Sequence, residues 1–444
     1  MIHSDTGHAR RSIRARGALL LAATACLCAV WFAGPWGPAA LAAGEETALT
    51  AESAAALVQG RLSEVEEVRG LAFKRPVPVE VIDDDRAREH LIQRLESFQS
   101  REELQALQRA YKLLGLLPQE ADILQSFLDA LREQAGGFYD PPSGSFYLLD
   151  DLPEILGPTI VVHELTHALE DQHFDLDGRL RGALRDDDRL FALGAVHEGS
   201  ASLLMFVSMS RQVLQGELDP LAMQAYAQSE AAKVESLAAM PPVLLRQLMG
   251  PYVLGASFLL EGDFFAIMGG GYPREKVDRA YAAGPLSSEQ ILHPEKYWSE
   301  ADRDDPRPVR LDDAGRKLGR RWRRVSEGTL GEVNLGVMVG APTPADLASL
   351  SIYDGSSWTN VAAEGWDGDR WELWARGEDA VVILGTVWDS PADAEEFASA
   401  LPRREELHWK LSGDRVAVTA GPVPRKAGAA LLDRILDAGT KPAE

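Results

Sequence analysis

The stretch TIVVHELTHALEDQH, residues 159–173, places His163 and His167 four positions apart. On a helix of 3.6 residues per turn both imidazoles leave the same face, so two ring nitrogens can reach one cation. Glu164 projects beside them, placed to take a proton from a water that such a cation acidifies rather than to ligate it. Ile160, Val161 and Val162 seat the helix in a core, and Ala168 keeps its surroundings slim. Asp171, four residues beyond His167 on the same face, could hold a ligand imidazole in place.

The HELTH run, followed by Ala168, Leu169, Glu170 and Asp171, resembles the zinc helix of thermolysin-like metallopeptidases, within the gluzincin group of zincins. The resemblance covers roughly residues 70–295. It implies Zn2+ held by His163, His167 and a glutamate from a later helix, with Glu164 as general base in peptide hydrolysis. It also implies a small sheet ending in an edge strand, then the zinc helix, then a helical lower subdomain. The order of this chain agrees: a hairpin at 136–151, the HELTH helix, then an apolar helix over Leu190–Met209 that carries Glu198. From His167 to Glu198 is 31 residues, longer than in thermolysin-like enzymes, so Glu198 is matched by context. An independent physical argument reaches the same residue. That helix is apolar almost all round, yet His197 and Glu198 sit in its middle, and buried ionisable groups need a partner or a metal.

His173 and His197 are rivals for the third ligand. His173 stands ten residues after His163, the metzincin spacing, but Glu170 occupies the place of the glycine that turns the chain there. A core arginine is the other use for Glu198. A tetrahedral oxyanion needs a donor beyond the metal, and gluzincins commonly take it from a Tyr or His of the lower subdomain. His293, in LHPEK, is the first candidate, ahead of Tyr252 and Tyr281. Ser145–Leu149 is expected to be the edge strand beside the cleft, where an extended peptide could pair. The chain also resembles exported bacterial HExxH proteins of unassigned activity, through stretches such as SSEQILHPEKY (287–297) and GWDGDR (365–370).

Composition narrows the classes around this motif. The chain has 444 residues, 45% hydrophobic and 25% charged, which is globular and excludes a disordered, collagen-like or multi-span membrane chain. Its net charge of −23 repels phosphate backbones, so nucleic acid is not an expected partner. Both cysteines, Cys26 and Cys28, precede residue 44, so beyond that point a metal must be held by His and carboxylates. Arg10, Arg11, Arg14 and Arg16 lead an uncharged stretch over 17–43 that ends in Ala40-Leu41-Ala42. Residues 1–43 therefore read as a signal peptide or an N-terminal anchor, the protein works outside the cytoplasm, and membrane contact is expected only if this segment is retained.

Strand alternation is expected at Val77–Ile82, helices at 51–68, 85–98 and 101–134, and polar turns at 174–187. Residues 300–313 (EADRDDPRPVRLDD) are charged and proline-bearing, as a linker would be. Seven of the ten tryptophans then follow between Trp322 and Trp409. Strand patterns appear at 330–339, 370–388 and 414–420, and helices at 390–401 and 424–438. Asp175-Leu176-Asp177-Gly178 and Asp367-Gly368-Asp369 have calcium-loop residues but read as turns, and the tryptophans read as core.

The expected architecture is α+β: a zincin-like metallopeptidase domain over 44–299, a linker over 300–317 and a Trp-rich α+β module over 318–444. The expected function is exported, zinc-dependent hydrolysis of peptide or protein substrates. The alternative is a zincin-like binding or assembly protein with a structural metal.

Overall fold

The computed structural model of the protein describes residues 48–438, apart from 135, 185, 224–239, 264, 266, 268 and 342–354. The signal or anchor read over 1–43 lies outside the described residues. The first helix, α1 (Ala51–Arg69), starts on a Thr50–Ser53 capping box and stops at Gly70, which takes the left-handed conformation (φ 76°). Strand β1 (Val79–Ile82) follows, then α2 (Asp84–Phe98), α3 (Arg101–Leu114) and α4 (Ile123–Gln134). The single helix expected over 101–134 is thus two. Gly115 (φ 81°) caps α3, and Pro118 lies in the turn before α4.

The hairpin is present as β2 (Gly137–Asp140) and β3 (Ser145–Leu149), joined through Pro141-Pro142-Ser143-Gly144. β3 is the central strand, parallel to β1 and antiparallel to β2, so the sheet order is β1-β3-β2. This corrects the expectation that Ser145–Leu149 is the edge; β1 and β2 are the edges. All five β3 residues are buried, as a strand paired on both sides should be.

Helix α5 (Gly157–Phe174) contains the HELTH motif and starts with Pro158 in its first turn. The polar 174–187 stretch holds one short helix, α6 (Leu176–Gly182), capped by the Asp175 side chain. The long helices α7 (Asp187–Gln215) and α8 (Pro242–Leu260) are each apolar and long enough to cross a membrane, yet each is almost wholly buried inside the protein. They pack together at glycines. A Cβ at Gly199 would overlap the Gly255 backbone, and one at Gly255 would overlap the Ala195 carbonyl, so only glycine permits this approach. Helices α9 (Arg274–Ala282), α10 (Ser288–Leu292) and α11 (Glu295–Trp298) complete this half.

The C-terminal half is a five-stranded antiparallel sheet. Its strands are β4 (Arg323–Gly328), β5 (Trp366–Arg376), β6 (Asp379–Trp388), β7 (Leu407–Ser412) and β8 (Arg415–Ala420), in the order β4-β5-β6-β8-β7. Residues 330–339 do not form the expected strand; they hold helix α12 (Gly331–Met338), whose first N–H groups are capped by Asp369. Helices α13 (Pro391–Ala400) and α14 (Gly428–Ala438) follow the 390–401 and 424–438 patterns.

Alternate residues of the central strands feed two cores. Val381, Ile383, Ala417 and Trp374 pack under Leu431 and Ile435 of α14. Val382, Leu384, Val416, Val418 and Leu373 join a core continuous with α3, α7 and α8. The molecule is therefore α+β with two sheets that share one main core. The 300–317 segment is no free tether: Arg307 donates its backbone N–H to the Asp367 carbonyl (2.6 Å), and its guanidinium reaches Asp367 and Asp414.

Candidate functional site: a buried His-His-Glu cluster

Helix α5 carries His163 and His167 inward, and α7 brings Glu198 to them. His163 Nε2 lies 3.1 Å from His167 Nε2 and 3.1 Å from Glu198 Oε2, and His167 Nε2 lies 3.3 Å from that same oxygen. Three donor atoms thus form a nearly equilateral triangle. Tetrahedral zinc with ligands at roughly 2.0–2.1 Å requires ligand atoms about 3.3 Å apart, so the triangle has the dimensions of three corners of such a site. Two imidazoles and one carboxylate also form a donor set that suits zinc and leaves a fourth position open. The residues fit a metal ion on distance and on chemistry. All three are buried, and the Gly199–Gly255 contact beside Glu198 lets α8 back the cluster closely.

Burial by itself would raise Glu198, yet His167 and His163 outweigh it and hold its carboxyl at about 2. Burial would likewise lower His167, but the Glu198 charge lifts it to about 9. Burial dominates at His163 and lowers it. The cluster is built around an ionised carboxylate, the charge that attracts a cation.

Glu164 stands beside the triangle without joining it. Its Oε2 accepts a hydrogen bond from the Tyr139 backbone N–H (2.8 Å), while its buried Oε1 has no hydrogen-bond partner among the described residues. Burial pushes its carboxyl up to about 8, although His167 and the Tyr139 N–H pull the other way. One oxygen is anchored and the other is left open, in a group poised near neutrality.

The rivals go elsewhere. His173 donates from Nε2 to the Ala72 carbonyl (2.8 Å). His197 is not part of the triangle; it is stacked on Tyr281 (5.5 Å between centroids), and burial, with His167 nearby, lowers it to about 3. Asp171 holds no imidazole; it accepts from the Tyr139 hydroxyl (2.9 Å) and from the Leu176 N–H, which opens α6.

Of the oxyanion candidates, Tyr252 on α8 stacks over the His163 ring at 5.7 Å and 17°. Tyr281 donates its hydroxyl to Glu170 Oε2 (2.6 Å). His293 is held by the Glu332 carboxylate (3.1 and 3.2 Å), at the junction with the sheet half. Its place there follows from α12, whose N-terminal turn puts a fully buried Glu332 against α10.

Sequence reasoning missed Tyr139, whose backbone orients Glu164, because nothing in a hairpin sequence marks the N–H that a distant carboxylate will use. It also missed Glu170, although an acid one turn after His167 on a helix expected in the core was a visible signal. A second group of carboxylates, Glu289, Asp304 and Asp389, surrounds Lys296 at 2.6, 2.8 and 3.0 Å, and the ammonium occupies it. The two calcium-like turns are capping and bulge positions.

Among families, the chain matches a domain of unknown function (DUF8575) over residues 318–434, which is the sheet half without its last residues. No curated protein and no solved structure matches the chain.

Proposed function

We propose that the protein is an exported zinc metallopeptidase, with His163, His167 and Glu198 as metal ligands and Glu164 as general base. The observation that carries this reading is the triangle of donor atoms 3.1–3.3 Å apart with an anchored, half-open carboxylate beside it. Zinc bound there supplies Lewis acidity toward a water and toward a carbonyl oxygen. Glu164 accepts a proton on Oε1 while the Tyr139 N–H keeps Oε2 in place, and the same oxygen returns that proton to the leaving amine. A carboxyl near neutrality serves both transfers, since neither protonation state is strongly disfavoured. A structural metal needs no such base, which favours hydrolysis over an assembly role.

The test begins with elemental analysis of zinc in protein purified without added metal, followed by cleavage of a mixed peptide library. Glu164→Gln is expected to keep its zinc and to lose turnover by roughly 10²–10⁴-fold. Cleavage by that variant at the native rate would sink the mechanism.

A further inference from the structure

We propose that Glu170 is a positioning residue that clamps the two ligand-bearing helices together; this rests on the metal-site reading above. Glu170 lies one turn beyond His167 on α5, and its side chain is fully buried. Its Oε1 accepts from Arg69 Nε (2.6 Å) and from Ser200 Oγ (2.6 Å), and its Oε2 accepts from the Tyr281 hydroxyl (2.6 Å). Ser200 is two residues past Glu198 on α7. One carboxylate therefore joins α5 to α7 within a turn of two donor atoms, and fixes both against α1 and α9.

The partners are themselves held. Because Ser200 spends its only proton on Glu170, the Tyr272 hydroxyl must donate to Ser200 Oγ (2.6 Å). Arg69 is 1% exposed, reaches Asp278 with Nη2 (2.6 Å) and lies over the Phe174 ring. An ion pair so deeply buried costs desolvation, and a hydrophobic pair could fill the space as stably. What apolar residues could not supply is direction. Three convergent charge-assisted bonds set the spacing and rotation of α5 against α7, and the donor triangle tolerates only a few tenths of an ångström before a ligand drops out. No bond runs from Glu170 to an imidazole, but its charge is near enough to help raise His167, so helix placement is read from variants that keep that charge.

The measurement is zinc affinity of the full chain by competition with a chromophoric chelator, alongside far-UV circular dichroism and melting temperature. Glu170→Gln is expected to weaken zinc binding about 10–100-fold, the range for residues that support ligands without touching metal. Ser200→Ala and Tyr281→Phe, which each remove one donor and keep the ion pair, should weaken it less and keep native helix content. They decide the question if Glu170→Gln does not fold. Trp388→Ala in the sheet half is the control, expected to lower the melting temperature without changing zinc affinity. Native affinity in Ser200→Ala, Tyr281→Phe and any folded Glu170→Gln would overturn the clamp and leave the metal site standing. A native protein that takes up no zinc would overturn the metal site itself, and the clamp with it.

Discussion

Both halves of this molecule bury carboxylates, but the helical half, where Glu170 is met by three donors, also leaves some of them short of donors. In the sheet half each one is surrounded by donors. Asp369 accepts from the Leu330 and Gly331 N–H groups and from Trp366 Nε1; Glu372 accepts from Arg324 and from Trp374 Nε1; Asp367 takes Arg307. In the helical half, Glu198 meets two imidazoles whose facing nitrogens leave a gap of cation size, and Glu164 keeps an oxygen without a donor. A satisfied buried acid is architecture, because its desolvation is repaid within the fold. An acid held short of satisfaction is a place where something else can complete the bonding; Glu289 Oε2 shares that shortfall, but at Glu164 it stands beside two facing imidazoles and a second carboxylate.

The contrast breaks most easily at the proposed ligand. Glu198→Ala should cost more zinc affinity than the roughly 10–100-fold of a supporting residue, measured by chelator competition. Native affinity in that variant would make Glu198 one more structural acid. Trp388→Ala, which empties a fully buried site packed on Phe397, should destabilise the protein by about 3–5 kcal/mol in urea unfolding, with zinc content unchanged. Asp369→Ala strands three donors and should cost about 1–3 kcal/mol, again without touching the metal. If either sheet variant lost zinc in its folded form, the two halves would not be independent in function.

The smallest effect belongs to the junction. Burial would lower His293, but the Glu332 hydrogen bond and charge win and raise it above its ordinary value. A raised folded value means that the pair stabilises fully below the unfolded value of about 6.5 and loses its contribution as pH rises through the folded value. The melting-temperature difference between the native protein and His293→Gln should therefore be largest near pH 6 and shrink toward pH 9. A difference that grows with pH would remove the ion pair from the account.

Much of this was legible in the chain, for identifiable reasons. The HELTH helix announced itself because two histidines at helical spacing, between Val162 and Ala168, serve no ordinary core purpose. Glu198 was found because an acid in the middle of Leu190–Met209 has to be partnered. The α12 region misled, since a short, mostly apolar segment such as Val333–Val339 satisfies strand and helix patterns alike, and Asp369, 38 residues from Gly331, decided for helix by capping it. Ser145–Leu149 misled too, because Val79–Ile82 lies more than sixty residues earlier and its parallel pairing turned a hairpin edge into the centre of a sheet.

The sequence by itself determined which side chains can take part in the candidate site. Histidine spacing on one helix and the absence of cysteine beyond residue 28 are local or compositional, and they need no folding to read. Tertiary structure alone decided which of Glu198, His173 and His197 meets the two imidazoles, that His293 belongs to the junction, and that Glu170 binds three helices at one carboxylate. Those outcomes depend on how helices distant in the chain rotate and approach, and that is set by glycine contacts and buried polar bonds between elements whose pairing no sequence window contains.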